Sequence, residues 1–299
     1  TIYNEQDILR NQYGKELIKG KKLLIIESDT KEKLGMLDVE GAVDLEEVKI
    51  IDNAPQLNRI SFNNCSKLKF ISIHQQKALN DLLEFRVLEN LENLELKDIA
   101  DPQLTMRGLS GLKQIKLENL QLKSLILYEF EAEPSVTISG VSVEKMEVEF
   151  SKYSKTHVIN KAVKEILENV NDLKELHVNY CTNLDSISWD RFKNIKTLVF
   201  NECDLSDAML ELILEKCVNL TSLSICNCSS LTPSVLAKVL NHFAQKKGLR
   251  DLSLSGVKLN EIHIKSNAGL HLTLNNCDGL KNMDVKFKIP AGIQNKIFL

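Results

Sequence analysis

One nine-residue pattern recurs along this chain and constrains its fold more than any other feature: L-x-x-[LI]-x-[LIVF]-x-x-[NC]. The clearest copies are LNRISFNNC (57–65), LENLELKDI (91–99), LKELHVNYC (173–181), IKTLVFNEC (195–203), LTSLSICNC (220–228) and LRDLSLSGV (249–257). Alternating apolar and variable residues make a short strand with one buried face. The leading Leu packs below that strand. The closing Asn or Cys falls where the chain must leave the sheet, so it needs a hydrogen bond or a small niche. A pattern repeating at a fixed length in this way marks a stacked-coil architecture.

These residues resemble the leucine-rich repeat superfamily. The copies that end in Cys are similar to its cysteine-containing class, common in F-box-type substrate receptors, and the run NLTSLSICNCSSL (219–231) also resembles repeats of plant immune receptors. The resemblance implies an α/β repeat solenoid: a right-handed superhelix with parallel strands. A bare terminal coil would expose its core, so capping segments are expected at 1–22 (helical) and 289–299, with the solenoid over 23–288.

The spacing departs from that family. Weaker copies begin at Leu23, Leu34, Leu45, Leu57 and Leu68, at Leu112, Leu122, Glu133 and Val143, and at Leu249, Leu259, Leu270 and Leu280. Steps this short cannot close a coil, which takes at least about 20 residues. Two steps can. Each coil is therefore expected to carry two strands, one on each face, so that the convex side is part β and part helix. Helices are expected where the spacing lengthens. SDAMLELILEK follows Leu205 with Ser206 or Asp207 as N-cap, and TPSVLAKVLNHFAQKKG begins with a Thr232 cap and Pro233. Residues 75–90, 160–170 and 5–19 also read as helices. Residues 128–160 lack the leading Leu and the closing Asn or Cys, and read as divergent coils or, as the less favoured alternative, a boundary between two sub-solenoids.

The chain has 299 residues, 43% of them hydrophobic and 26% charged, which places it among folded globular proteins. Its net charge of −3 offers no general attraction to nucleic acid, and no basic stripe with aromatics appears. No apolar run is long enough to span a membrane as a helix, so no membrane partner is expected. The N-terminal residues carry no signal-peptide layout. The cysteines are odd in number, seven, which favours a reducing cytoplasmic or nuclear compartment.

No side-chain constellation argues for catalysis. Nucleophile elbows, zincin helices and phosphate loops are missing from the sequence. Cys65, Cys181, Cys203, Cys228 and Cys277 hold the turn position and read as small buried fillers, without a metal or a disulfide. His177 and His263 fall on outward strand positions, and Trp189 on an inward one. No cofactor and no metal are expected.

What remains is a surface. The outward residues of the strong copies form a strip that is charged from Arg59 to Glu118 and small and weakly charged from Thr197 to Ser255. Small side chains ringed by charges suit a protein partner. The expected contacts are Glu175, His177, Asn179, Thr197, Val199, Asn201, Ser222, Ser224, Asp251 and Ser253. The reading is a non-enzymatic adaptor or scaffold that binds protein through its strand face. Two alternatives stay open: the substrate-reading part of an F-box-type receptor, and a secreted recognition protein. Oligomeric state and partner identity have no signature in the sequence.

Overall fold

The structure, a computed structural model, describes residues 2–4, 22–27, 35–51, 53–153, 157–246, 250–266, 269–280, 282–287 and 296–298. The expected helix at 5–19 and most of the 289–299 cap lie outside the described residues. The chain divides into two compact units, one of residues 1–156 with 160–173 and the other of 157–159 with 174–299.

The first unit stacks parallel strands in two sheets. One sheet holds β1 (Ile2–Asn4), β2 (Leu23–Glu27), β4 (Glu47–Ile50), β6 (Phe70–His74), β8 (Asn93–Ile99), the first half of β10 (Gln114–Tyr128) and β11 (Ser135–Ser139). The other holds β3 (Met36–Glu40), β5 (Arg59–Asn63), β7 (Leu82–Arg86), β9 (Gln103–Arg107), the second half of β10 and β12 (Ser142–Glu149). Along the first sheet Glu47, Phe70, Asn93, Gln114 and Ser135 are successive Cα partners. Along the second, Met36, Arg59, Leu82, Gln103 and Ser124 are successive partners. In the sequence the members of the two series alternate. Each coil therefore contributes one strand to each sheet, which is the arrangement the short motif spacing calls for. Residues 135–149 keep this register although the motif fades there.

Residues 75–90 are not helical. They hold β7, because Leu83 and Phe85 alternate inward and stack between Ile60 and Phe62 on one side and Leu104 and Met106 on the other. Period-two packing against two formed neighbours outweighs any local helical preference. Residues 160–170 are helical: α1 (Lys161–Asn169) begins where the Asn160 side chain accepts a hydrogen bond from the Val163 amide at 2.9 Å.

The second unit has one principal parallel sheet, β13 (Glu175–Asn179), β14 (Thr197–Asn201), β15 (Ser222–Cys226), β16 (Arg250–Ser255), β18 (Leu270–Asn275) and β20 (Lys296–Phe298). What backs it depends on the length of each coil. The coil from Glu175 to its partner Thr197 is shorter than the two that follow, and accommodates only two 3-10 turns, Leu184–Ser186 and Trp189–Phe192. The longer coils, from Thr197 to Ser222 and from Ser222 to Asp251, accommodate α2 (Asp207–Lys216) and α3 (Pro233–Gln245). The next coil instead carries β17 (Glu261–Ser266), which pairs with β19 (Asn282–Phe287). Ser206 caps α2 and Thr232 caps α3, and Asp207 accepts from both the Thr232 amide and its hydroxyl. Trp189 is buried as expected, but in a 3-10 turn and not a strand; its indole nitrogen donates to the Leu184 carbonyl at 3.3 Å.

Both units consist mostly of parallel strands with few helices, an α/β arrangement compatible with a repeat solenoid. Their interiors are aliphatic ladders. Leu176, Leu198, Leu223, Leu252 and Leu272 are successive Cα partners, each no more than 1% exposed.

Candidate functional site

Many of the described strands end on a residue in the left-handed region. In the first unit these include Gly41, Asn64, Val87, Gly108 and Glu129; in the second they are Tyr180, Glu202, Asn227, Gly256 and Asn276. The conformation swings the chain inward while the turning amide still bonds to the next coil. Asn64 donates to the Arg86 carbonyl at 3.1 Å, and Asn227 to the Ser255 carbonyl at 2.9 Å. The following residue drops into the core, and this is the niche that Cys65, Cys181, Cys203 and Cys228 fill. Their thiols donate back to strand carbonyls, Cys203 to Val178 at 3.1 Å and Cys181 to Asn179 at 3.3 Å. Burial pushes the Cys203 thiol up to about 11 and those of Cys217 and Cys228 up to about 12, so they carry little thiolate at neutral pH. Cys277 departs from the expectation of full burial. It is half-exposed, though its thiol still reaches the Leu254 carbonyl at 3.4 Å.

Because the turns are uniform, outward side chains line up in rows. The first row runs Glu175, Thr197, Ser222, Asp251 and the second runs His177, Val199, Ser224, Ser253. The third runs Asn179, Asn201, Cys226, Ser255. All ten residues singled out from the sequence thus share one sheet face. All are half-buried except Asp251, which is exposed. His271, Thr273 and Asn275 extend the rows by one strand. The alternation in LHLTLN over 270–275 is the signal that could have found them.

On this face two histidine–carboxylate pairs flank β14 and β15. His177 Nε2 lies 2.5 Å from Glu175 Oε1, and His271 Nδ1 lies 3.0 Å from Asp251 Oδ1. Between them, β14 and β15 present Thr197, Val199, Asn201, Ser222, Ser224 and Cys226, none of them charged. Such a centre loses water at far less cost than an ionic one.

The strip expected at Arg59–Glu118 does not exist as one surface. Arg59, Ser61 and Asn63 lie on the second sheet of the first unit, whereas Asn93, Glu95, Lys97, Gln114, Lys116 and Glu118 lie on its first sheet. With two strands per coil, a motif copy identifies a strand but not its face. The residues of the first sheet neutralise one another: Lys116 meets Glu95 at 3.0 Å and Glu118 at 3.3 Å, and Lys97 meets Glu118 at 3.5 Å.

A cavity of about 260 Å³ lies in the first unit between β11 and α1, lined by Val136, Thr137, Ile138, Glu165 and Asn169. It contains none of the residues singled out from the sequence. Among the described residues there is no group of three or more His, Cys, Asp or Glu arranged to hold a metal ion, and no helix is long and apolar enough to cross a membrane. Neither protein-family models nor curated proteins yield a match to this chain.

Proposed function

We propose that this chain is a right-handed leucine-rich-repeat superhelix of the cysteine-containing type that acts as a non-enzymatic adaptor or scaffold, binding a protein partner through the strand face of its second unit. The observation that carries the reading is the neutral centre on β14 and β15 between two histidine–carboxylate pairs. Outward side chains contribute little to holding a parallel coil together, so their identity is free to specify a partner. The self-neutralised lattice of the first unit is a poorer surface, because desolvating paired charges recovers little energy. A reducing compartment, the cytoplasm or nucleus, agrees with the buried thiols.

A triple variant tests this: Glu175→Lys and Asp251→Lys reverse the flanking charges, and Ser224→Trp raises a wall on the central row. Partners captured by the wild-type chain should be lost to the variant while its melting temperature changes by no more than about 2 °C, as for surface substitutions worth about 0.5 kcal/mol. Capture of the same partners at wild-type affinity places the contact elsewhere.

A further inference from the structure

The second sheet of the first unit carries two arginines in direct register. Arg86 on β7 and Arg107 on β9 are Cα partners, and Tyr128 on β10 is the partner of Arg107. The Arg107 guanidinium lies over the Tyr128 ring, 4.1 Å from its centroid. Adjacent strands are about 4.8 Å apart, so two arginines leave the sheet from neighbouring backbone positions in one row. Like charges directly opposite destabilise a sheet, and the compensation here is small. Arg86 Nε is 3.8 Å from Glu84 Oε1, beyond hydrogen-bonding distance, and that carboxylate already accepts from the Ser61 hydroxyl at 3.2 Å. The same Nε is shut off from solvent without a hydrogen-bond partner. The outer nitrogens of Arg86 therefore carry that side chain's donor capacity, beside a second fork held flat by a ring.

We propose that Arg86, Arg107 and Tyr128 form a binding site for a side-chain carboxylate of an acidic segment in a partner protein. Guanidinium forks match a carboxylate's two oxygens, and one bridging carboxylate would relieve the repulsion between the arginines. Tyr128 keeps the Arg107 fork in plane through the cation–π contact. The surroundings favour a monoanion over a phosphate dianion, because Glu84 stands beside Arg86 and Glu149 is the ladder partner of Tyr128. This site is independent of the strand face of the second unit and stands if that reading fails.

The test is a titration of the arginine Nε–Hε resonances of the whole chain with acetyl-Gly-Glu-Gly-Glu-Gly-amide, its Gln counterpart and inorganic phosphate. The Glu peptide should shift Arg86 and Arg107 together and saturably, the Gln peptide should not, and phosphate should bind at least fivefold more weakly. Arg107→Lys keeps the charge and loses the fork, and should weaken the Glu peptide at least tenfold. Arg107→Gln should abolish binding and leave the melting temperature unchanged or raised. Absent shifts, equal response to the Gln peptide, tighter binding of phosphate, undiminished binding by Arg107→Lys or Arg107→Gln, or a melting temperature lowered by several degrees in Arg107→Gln would each overturn the proposal.

Discussion

Replacing Leu223 with Ala tests the packing register at its centre. Leu223 is 1% exposed and is stacked between Leu198 on β14 and Leu252 on β16. Truncation removes three carbon groups at about 0.8 kcal/mol each, or about 2.4 kcal/mol of transfer energy. The two flanking leucines belong to strands held by their own ladders, so the gap closes only in part and a cavity term adds to this. Leu→Ala losses in cores span about 2–5 kcal/mol, and about 3 kcal/mol is expected here. Stacked coils contact only their neighbours, so the loss should concentrate in the coils around β15. Equilibrium denaturation with native-state hydrogen exchange on β14–β16 measures it. The control is Ser224→Ala on the opposite side of the strand, expected within about 0.5 kcal/mol of wild type. A loss below about 1 kcal/mol for Leu223→Ala, under the range for buried leucines, would mean that Leu223 does not occupy this ladder.

Other substitutions probe the turns, the thiols and the caps. Val87 is a β-branched residue at φ 49°, where Asn stands at the equivalent positions 64 and 227. Val87→Asn should stabilise by about 1 kcal/mol in thermal denaturation, since a left-handed backbone costs an ordinary L-residue about 1–2 kcal/mol. Gly256→Ala should do the reverse and lower the melting temperature, because at φ +60° its Cβ would sit 1.8 Å from Asn227 Oδ1. Burial raises the Cys217 and Cys228 thiols from 9.0 to about 12, so the unfolded chain ionises first and stability should fall as pH rises above about 9. A Cys217→Ala, Cys228→Ala double variant should lose less between pH 9 and pH 10.5, as followed by urea titration. Removing the α3 cap with Thr232→Ala should cost about 0.5–2 kcal/mol, read by the same titration.

The two-strand coil is legible in the sequence because strand spacing depends only on Leu positions. One motif step is too short for a turn of the coil, and two such steps close one. Helices α2 and α3 are legible from Ser206, Thr232 and Pro233, since capping is local chemistry. The strand at 82–86 is not legible, because Leu83 and Phe85 take their direction from Ile60, Phe62, Leu104 and Met106, which are distant in sequence. The inward turn is legible through Cys and Asn, but the left-handed residue before it is Val, Glu, Tyr or Gly as often as Asn, so only the backbone reveals it. The same limit hides the arginine pair. Arg86 and Arg107 precede Val87 and Gly108, in strand ends that lack both Asn and Cys, and they are remote in the chain until the sheet sets them side by side.

Site-resolved photocrosslinking tests the claim about function most directly. A benzophenone amino acid placed in turn at Ser224, at Val199 and at Leu212 of α2, which is 41% exposed, samples the neutral centre and a helix surface of the same unit. The account predicts crosslinks to one protein partner from Ser224 and Val199, lost when Glu175 and Asp251 are both changed to Lys, and none from Leu212. Crosslinking to that partner from Leu212 with none from Ser224 or Val199 would contradict it.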